Sequence, residues 1–294
     1  MEPFRNIGIL GREGNGVAET LQRLIIFLRS RALNIIICDQ IEQLVESGLL
    51  QEARVCSRKM IGEVSDLIIV VGGDGSLLAA ARTLARFDVP VLGVNRGRLG
   101  FLTDVSPDEI EHRVGEVLDG RYRIEKRFLL DATVKHNGEP IGTADALNDV
   151  VVNSGTSAKM IEFELYIEGE FVYRQRSDGL IVSTPTGSTA YSLSAGGPIM
   201  HPKLDAIVLV PMFPHTLSSR PIVVDGNSEI KIVICESGGA QLPVTCDGQV
   251  NLTAQCGDSV YIAKKPHKLK MIHPLTHSFY AGCRDKLGWS TSHY

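Results

Sequence analysis

The fold of the first part of this chain is decided by the stretch Val70-Val71-Gly72-Gly73-Asp74-Gly75-Ser76-Leu77-Leu78. The residues before it, Leu67–Ile69, extend an apolar run whose length predicts a buried strand. The residues after it are rich in Ala and Leu and predict a helix over Leu77–Arg86. The three glycines therefore lie at a strand-to-helix turn, where a backbone without side chains and a helix N-terminus can together bind a phosphate.

Asp74 is the acid inside this turn. A carboxylate beside a bound phosphate repels it, so the position is unusual for a structural residue and suits a group that meets a hydroxyl next to a phosphate. The alternative is a tight turn in which Asp74 only caps the helix near Leu77. The local chemistry leaves both interpretations open.

Length and composition restrict the class of protein. The 294 residues are enough for two domains of ordinary size. A net charge of −4 and a pI near 6.1 argue against nucleic-acid binding. The first residues lack a basic segment leading into a long apolar one, and no run of ~18 apolar residues occurs, so we expect no membrane span and a cytoplasmic protein.

Six cysteines are scattered along the chain without a Cys-x-x-Cys pair. This distribution indicates reduced thiols rather than a zinc site or a disulfide framework.

The pattern of the chain changes near residue 123. Before it, apolar strands alternate with helices, which predicts βαβ units and a parallel, Rossmann-like sheet. The elements expected here are Asn6–Leu10, helix Val17–Arg31, Asn34–Cys38, Leu67–Val71, helix Leu77–Arg86, Pro90–Val94 and a helix capped by Ser106 that ends at Gly120. From Tyr122 onward, short strands with period-two stretches follow at Glu162–Ile167, Phe171–Arg176, Gly179–Val182, Glu229–Cys235 and Ser259–Ala263. We therefore expect an α/β domain over residues 1–122 and a mostly β, β-sandwich-like domain over residues 123–274.

The loop Gly11–Ala18 occupies the place where a nucleotide-binding fingerprint would lie, but it matches none. A Walker A loop needs Lys and then Ser or Thr where Val17 and Ala18 stand, and the dinucleotide pattern starting at Gly14 meets Glu19 instead of its third glycine. An ordinary flexible loop or a lid over a ligand remain the two interpretations.

Hydroxyl side chains are crowded between Ser177 and Ser192. Such a stretch is either a polar surface turn or a set of donors for ribose and phosphate oxygens, with Tyr191 available to stack on a base. Asn148-Asp149, an amide and an acid before an apolar run, is by itself a common turn. His273 and His277 have i, i+4 spacing, but Pro274 interrupts any helix there, so we do not expect them to bind a metal.

Together these pieces resemble bacterial NAD kinases over nearly the whole chain. The motifs that carry the resemblance are Gly72-Gly73-Asp74-Gly75, Gly93-Val94-Asn95-Arg96-Gly97, Leu99-Gly100-Phe101-Leu102, Asn148-Asp149, Arg176-Ser177-Asp178-Gly179, Thr184–Tyr191 and Cys246-Asp247-Gly248-Gln249. Gly-Gly-Asp-Gly alone is not specific, because diacylglycerol and sphingosine kinases share it. The combination is specific.

The resemblance implies that the two domains enclose a cleft in which ATP gives its γ-phosphoryl group to the 2′-hydroxyl of the adenosine ribose of NAD. Asp74 is then the catalytic residue that accepts the hydroxyl proton, and a divalent metal, expected to be Mg²⁺, helps to hold the phosphates. The residues implied for ATP phosphates are Gly72, Gly73, Gly75 and Asn95. Those implied for NAD are Gly73, Asp74, Gly75, Asn148, Asp149, Lys159, Arg176, Asp178, Thr189, Ala190, Tyr191, Ser192 and Gln249. The family usually has Glu where Asp149 stands.

The resemblance also implies a homo-oligomer, dimer or tetramer, in which a neighbouring chain completes the site, and a tail over residues 275–294 that packs on the first domain. A lipid kinase that shares the Gly-Gly-Asp-Gly motif and a non-catalytic NAD or NADPH sensor are the competing interpretations. A lipid kinase needs an apolar acceptor groove, and a sensor gains nothing from an acid at position 74.

Overall fold

The computed structural model describes residues 4–96, 100–155, 160–236, 239 and 241–289. The chain divides into two compact units. One combines the residues up to Lys126 with those from Lys268 onward, and the other is Arg127–His267. The first unit is thus built from both ends of the chain, whereas the second is continuous.

The first unit alternates strands and helices, as the βαβ pattern predicts. Its elements are β1 (Asn6–Gly11), α1 (Val17–Ser30), β2 (Asn34–Cys38), α2 (Ser47–Leu50), β3 (Arg54–Cys56), α3 (Arg58–Val64), β4 (Leu67–Val71), α4 (Asp74–Leu84), β5 (Pro90–Val94) and α5 (Ile110–Leu118). Short 3₁₀ turns lie at Asp39–Leu44, Ala85–Phe87 and Pro107–Glu109. The helix predicted over Leu77–Arg86 thus begins earlier, at Asp74, and Ser106 precedes a 3₁₀ turn without a capping hydrogen bond from its side chain.

The sheet of the first unit has the order β3-β2-β1-β4-β5, and each of these pairs is parallel. All five residues of β4 are buried, as expected for a parallel strand covered on both faces. Helix α1 presents Leu21, Leu24 and Leu28 to the core, with none of the three exposed. This sheet confirms the α/β fold expected from the sequence.

The second unit is almost entirely β structure. From Tyr122 onward the elements of the chain are β6 (Tyr122–His136), β7 (Glu139–Ala146), β8 (Asp149–Asn153), β9 (Ile161–Ile167), β10 (Glu170–Ser177), β11 (Gly179–Ser183), α6 (Tyr191–Ser194), β12 (Ala206–Met212), β13 (Ile222–Asp225), β14 (Ile230–Glu236), β15 (Leu242–Cys246), β16 (Val250–Ala254), β17 (Ser259–Pro274) and α7 (Phe279–Leu287). The end of β17 and α7 belong to the first unit. A 3₁₀ turn at Gly187–Thr189 precedes α6.

Two sheets build this unit, and in both of them neighbouring strands such as β8–β11 and β9–β14 pair antiparallel. One has the order β13-β12-β11-β8-β15-β16, and the other contains β10-β9-β14 and the first part of β17, with β6 and β7 attached. Residues of both sheets share one apolar core, including Phe163 from β9 and Leu180 from β11. The mostly β fold predicted for the second half is thereby confirmed.

The last residues of β17 belong to the first unit. Lys270, Met271 and Ile272 pair in parallel with Pro90, Val91 and Leu92 of β5. The first unit therefore has a sixth parallel strand that comes from the far end of the sequence. Among the helices that the structure describes, none combines the length and the apolar character that a membrane span requires.

Candidate functional site

The glycine turn connects β4 to α4 at the carboxyl end of the parallel sheet. Gly72 has φ +151, and a Cβ atom there would lie 2.4 Å from Ser76 Oγ, so the turn closes tightly on itself. Gly73 is the N-cap of α4 in an extended conformation, and a Cβ there would meet no atom within 4 Å. The open side of Gly73 lets a ligand approach the backbone at the helix N-terminus.

Asp74 is held by the segment that follows β5. Its Oδ2 accepts a hydrogen bond from the Phe101 N–H at 2.7 Å, and its Oδ1 accepts from the Leu102 N–H at 3.0 Å and from Thr103 Oγ1 at 3.2 Å. These bonds fix the carboxylate toward residues 101–103, so capping near Leu77 is not what holds it. The close fit requires glycine at position 100, because a Cβ there would lie 1.8 Å from Asp74 Oδ1.

A lysine from α7 lies in the same neighbourhood. Lys286 Nζ is 4.0 Å from the centroid of the Phe101 ring, a cation–π geometry. Burial lowers the pKa of Lys286, although the charges of Asp74 and Asp104 act in the opposite direction. A partly buried cation therefore stands near Asp74, and this lysine belongs to none of the sequence motifs.

A cavity of about 430 Å³ opens beside the start of α4. The strand order places it where a doubly wound sheet binds ligands, because chain connections leave β1 and β4 in opposite directions and form a crevice at their carboxyl ends. Its lining comes from the loop after β1, from α4 and from two neighbouring segments: Gly11, Arg12, Glu13, Gln40, Arg58, Gly75, Ser76 and Ala79.

Arg12 and Arg58 bring two positive charges to this cavity. Arg58 is oriented by hydrogen bonds to Gln40 Oε1 at 2.7 Å and to the Ala79 carbonyl at 3.3 Å. Sequence motifs did not select either arginine. The topological rule would have found Arg12, since it directly follows β1. The Gly11–Ala18 loop thus lines a cavity at its first residues, which favours a role toward a ligand.

In the second unit, the Asn148-Asp149 turn is held by Asp247. The carboxylate of Asp247 accepts hydrogen bonds from the backbone N–H groups of Leu147 at 3.1 Å, Asn148 at 2.7 Å and Asp149 at 3.4 Å. Asp247 itself lies in the β15–β16 hairpin with φ +54, followed by Gly248 with φ +62, the pair of conformations that a type I′ turn requires. This residue occurs in a family motif, but its role was not foreseen.

Asp149 is almost completely buried at the start of β8. Burial and the neighbouring charge of Asp247 together raise the pKa of Asp149 to about 7. The adjacent Asn148 Oδ1 is also buried, and no described residue donates a hydrogen bond to it. An acceptor without a donor next to a carboxyl group that titrates near neutrality is typical of a ligand site.

Several hydroxyls of the hydroxyl-rich stretch bond to backbone carbonyl groups of their own unit. Thr184 Oγ1 donates to the Leu147 carbonyl at 2.6 Å, Ser183 Oγ donates to the Asn148 carbonyl at 3.1 Å, and Ser188 Oγ donates to the Pro185 carbonyl at 2.7 Å. The hydroxyl-bearing residues that are buried are Ser177, Ser183, Thr184, Thr186, Ser188 and Ser192. Most of these hydroxyls therefore lie inside the unit rather than at its surface, and their role toward NAD stays a prediction.

Within the predicted NAD-binding run, the residues differ in exposure. Thr189 and Ala190 are half-buried, Tyr191 is 46% exposed, and Ser192 is fully buried. Tyr191 is therefore available to a base, whereas the Ser192 hydroxyl lies inside the unit.

The remaining predicted residues are spread over several elements. Arg176 is exposed near the end of β10, Asp178 is half-buried just after it, and Gln249 is exposed in the hairpin that contains Asp247. Asn95 is buried directly after β5 and donates its backbone N–H to the Val105 carbonyl. Lys159 lies outside the described residues, as do Gly97 and Leu99 of the family motifs.

Comparisons with known proteins match two family domains that follow one another along the sequence. The sequence pattern of the ATP-NAD kinase N-terminal domain matches residues 7–122, and that of the ATP-NAD kinase C-terminal domain matches residues 147–274. The chain belongs to the ATP-NAD kinase family.

Individual relatives of this ATP-NAD kinase family member are similar over nearly their whole length. A protein named NAD kinase from Hahella chejuensis is 63% identical over 293 residues, which are 99% of this chain and 98% of that protein. The solved structure of yeast NADH kinase complexed with NADH has a TM-score of 0.88 at 27% identity and covers 100% of this chain and 90% of that one. An NAD kinase from Archaeoglobus fulgidus in complex with ATP has a TM-score of 0.70 at 25% identity, covering 96% of this chain and 97% of that one.

In this member of the ATP-NAD kinase family, the two units carry different parts of the predicted site. The first unit contains the glycine turn, Asp74 and the cavity with two arginines. The second contains the Asn148-Asp149 turn and Tyr191. The sequence did not lead us to expect a metal at His273 and His277, because Pro274 interrupts any helix there. Their side chains nevertheless come together, and the rings stack with their centroids 4.1 Å apart.

Proposed function

We propose that this chain is an NAD kinase, which transfers the γ-phosphoryl group of ATP to the 2′-hydroxyl of the adenosine ribose of NAD and forms NADP and ADP. The observation that carries the proposal is the placement of Asp74. Its carboxylate stands at the glycine turn, at the carboxyl edge of a parallel sheet, in a chain 63% identical to an NAD kinase. A phosphate site containing an oriented acid suits phosphoryl transfer to a hydroxyl.

The phosphates of ATP would bind at the start of α4. The open face of Gly73 and the N–H groups at the N-terminus of α4 suit an anion, and Arg12 and Arg58 line the adjoining cavity. Gly72, Gly75 and Asn95 belong to the same proposal, since all three lie at the carboxyl ends of β4 and β5. The two arginines would neutralise charge on the phosphates, and the backbone N–H groups would orient them.

Asp74 would act on the acceptor hydroxyl. The 2′-oxygen attacks the γ-phosphorus, the bond from that phosphorus to the β–γ bridging oxygen breaks, and ADP leaves while the hydroxyl proton passes to Asp74. The three hydrogen bonds from residues 101–103 occupy part of the roughly four acceptor positions of a carboxylate, so Asp74 keeps capacity for one more donor. Orientation is its main contribution, because the transition state is loose.

We assign Mg²⁺ to the ATP phosphates and to water rather than to a dedicated protein site. Mg²⁺ keeps several waters and needs only one or two carboxylates besides substrate phosphates. In the first unit, Asp74 is the carboxylate in the turn, and its one remaining acceptor position is proposed for the substrate hydroxyl. When bound, the ion neutralises charge that develops on the phosphates.

The NAD contacts proposed for the second unit centre on the Asn148-Asp149 turn and on Tyr191. Asn148 Oδ1 would accept a hydrogen bond from the substrate, Asp149 would bind a ribose hydroxyl, and Tyr191 would stack on a base. The other residues kept in this proposal are Gly73, Asp74, Gly75, Lys159, Arg176, Asp178, Thr189, Ala190, Ser192 and Gln249.

We further propose a cytoplasmic homo-oligomer. All six cysteines are free thiols, which suits a reducing compartment. The segment after β12 exposes large apolar side chains, with Phe213 at 76% and Leu217 at 95%. This segment is bonded to Arg176 through the His215 N–H and the Arg176 carbonyl at 3.1 Å, so a second copy that covers it would lie beside Arg176 and Asp178.

An assay of phosphoryl transfer with ATP and Mg²⁺ tests the function, with NAD, NADH and diacylglycerol as acceptors. We expect NADP from NAD, and a loss of at least ~10²-fold in kcat for Asp74→Asn with NAD binding retained. The matched control is Asp88→Asn, which changes an exposed aspartate of the same unit and should leave kcat unchanged. Turnover of diacylglycerol alone, or NAD binding by the wild type without turnover, would contradict the proposal.

A further inference from the structure

Three side chains from distant parts of the sequence meet at the carboxyl end of the first unit's sheet. β17 runs parallel to β5, and Val105 forms a parallel bridge with Val94 at the end of β5. Asp104 and His273 are therefore brought to the same edge of the sheet, where β17 ends. His277 joins them because the chain turns back after Pro274, with the His277 N–H bonded to the Pro274 carbonyl at 2.9 Å.

The polar atoms of these residues converge. Nδ1 of His273 and Nδ1 of His277 both approach Asp104 Oδ2, the second at 3.0 Å. One ligand atom from each residue lies within 4.8 Å of the other two. The cluster is enclosed, with side-chain exposures of 1% for His273 and 14% for both Asp104 and His277.

The outward nitrogen of His273 is the second observation. His273 Nε2 is buried, and no described residue shares a hydrogen bond with it, although the Glu125 carboxylate stands 3.9 Å away. A histidine that binds a metal through one ring nitrogen usually donates its other N–H to a carboxylate, which fixes the tautomer and the ring orientation. Glu125 has the chemistry and the position for that role.

We propose that Asp104, His273 and His277 bind one divalent transition-metal ion of the zinc type, with water as the fourth ligand and Glu125 behind His273. Two imidazoles and one carboxylate are a donor set for Zn²⁺, with ligand bonds of about 2.0–2.2 Å. Mg²⁺ prefers oxygen donors, so this ion differs from the one that accompanies ATP. The inference does not depend on the proposed reaction.

The ion would fasten the C-terminal segment to the segment that holds Asp74. Thr103, the residue before Asp104, donates its hydroxyl to Asp74, and the N–H groups of Phe101 and Leu102 donate to the same carboxylate. His273 and His277 come from the end of β17 and from the turn after it. Metal binding would thus link two chain segments that are 169 residues apart at the Asp104–His273 contact.

Zinc titration of the full chain, freed of metal with a chelator, tests the site through stoichiometry and thermal unfolding. We expect one Zn²⁺ per chain, a higher Tm in the presence of Zn²⁺, and no comparable rise with Mg²⁺ at the same concentration. In His277→Ala and Asp104→Asn, Zn²⁺ affinity should fall by at least ~10²-fold, since even outer partners of metal ligands contribute ~10–100-fold. Glu125→Gln should lower Zn²⁺ affinity about tenfold.

His112→Ala is the matched control, because His112 pairs with Glu116 on the exposed face of α5 and lies outside the cluster. It should bind Zn²⁺ as the wild type does. If a cluster variant is too unstable for the zinc titration, the visible absorption of tetrahedral Co²⁺ in the wild type and in Glu125→Gln gives a second measurement of the same site. The proposal is overturned if Zn²⁺ does not bind stoichiometrically or if Mg²⁺ raises the Tm equally. It is also overturned if Zn²⁺ binding survives both cluster variants, which would indicate binding elsewhere, for example at the exposed thiol of Cys256.

Discussion

At the scale of single residues, two neighbouring carboxylates of the second unit have different surroundings. Asp247, whose negative charge acts on Asp149, accepts hydrogen bonds from three backbone N–H groups. Asp149 is buried beside that charge, and burial and Asp247 raise the pKa of Asp149 to about 7. Near neutral pH, Asp149 can therefore donate or accept a proton in a hydrogen bond, while Asp247 holds the turn.

The raised pKa predicts a pH dependence of stability. Asp149 keeps its proton in the folded chain up to about pH 7 but loses it near ~3.9 in the unfolded chain, so its contribution is complete below about pH 4 and is lost as the pH rises to 7. The free energy of unfolding should fall by up to ~1.4 kcal/mol per pH unit in this range. Urea unfolding at pH 5.5, 6.5 and 7.5 measures the slope, which Asp149→Asn should reduce.

Asp225→Asn is the control for this slope. Hydrogen bonds from the Asn227 backbone and side chain lower the pKa of Asp225, so that group stays charged across the range and its replacement should keep the wild-type slope. An unchanged slope in Asp149→Asn would mean that Asp149 is ionised throughout.

Replacing the residue that holds the turn tests its role in substrate binding. Asp247→Asn keeps a side chain that tolerates positive φ but has only one acceptor oxygen for three N–H groups. We expect a loss of about 1.5–3 kcal/mol in stability, the range for hydrogen bonds to charged groups, and a higher KM for NAD with kcat less affected. Steady-state kinetics check this, and a KM equal to that of the wild type would show that the turn keeps its geometry without the second carboxylate oxygen.

At the scale of elements, the β4–turn–α4 unit determines how a phosphate can approach. Gly72 is constrained by its φ and by Ser76, whereas Gly73 has an ordinary conformation and open space where a Cβ would stand. A methyl group at position 73 would therefore disturb a ligand but not the fold.

We expect Gly73→Ala to keep the Tm of the wild type and to lower kcat/KM for ATP by at least tenfold, because the methyl group takes the space that a phosphate needs. Thermal unfolding and initial-rate kinetics measure the two effects. Gly48→Ala in α2 is the matched control, since a Cβ there also meets no atom within 4 Å, and its activity should be unchanged. Full activity in Gly73→Ala would mean that the phosphates bind elsewhere.

Elements with a strong local signal were predictable. The strands Asn34–Cys38, Leu67–Val71 and Pro90–Val94 have the bounds expected from their apolar runs. Polar residues were harder, because their partners are distant in sequence. Thr184 reads as a surface hydroxyl, yet it bonds the Leu147 carbonyl, and Asp104 gives no local sign that it meets His273. The domain ranges and the residue roles remain predictions.

At the scale of the whole molecule, function is proposed to depend on assembly. Phe213 and Leu217 are exposed on a segment that adjoins Arg176, and a second copy is the occupant that we expect to cover them. Large exposed apolar side chains in one segment favour such a contact.

Leu217→Ser should shift the protein toward monomers in sedimentation experiments and make activity fall on dilution, because it removes apolar surface from the proposed interface. Ile141→Ser is the control, since Ile141 is an exposed apolar residue of strand β7, at 56%, and lies outside the segment of Phe213 and Leu217. Mixing inactive Asp74→Asn and Asp178→Ala chains should restore activity if neighbouring chains share a site. No recovery despite proven subunit exchange would place Asp178 in the site of its own chain.

The first unit is closed by residues from the end of the chain, and this affects how the protein is made. During synthesis, β1 to β5 leave the ribosome long before Lys270–Ile272 can pair with β5. The outer edge of β5 therefore stays unpaired while the whole segment Arg127–His267 is translated. An unpaired strand edge can pair with another chain. A nascent chain shortened before residue 268 would keep that edge exposed, which makes premature termination more harmful here than in a protein whose domains follow one another along the sequence.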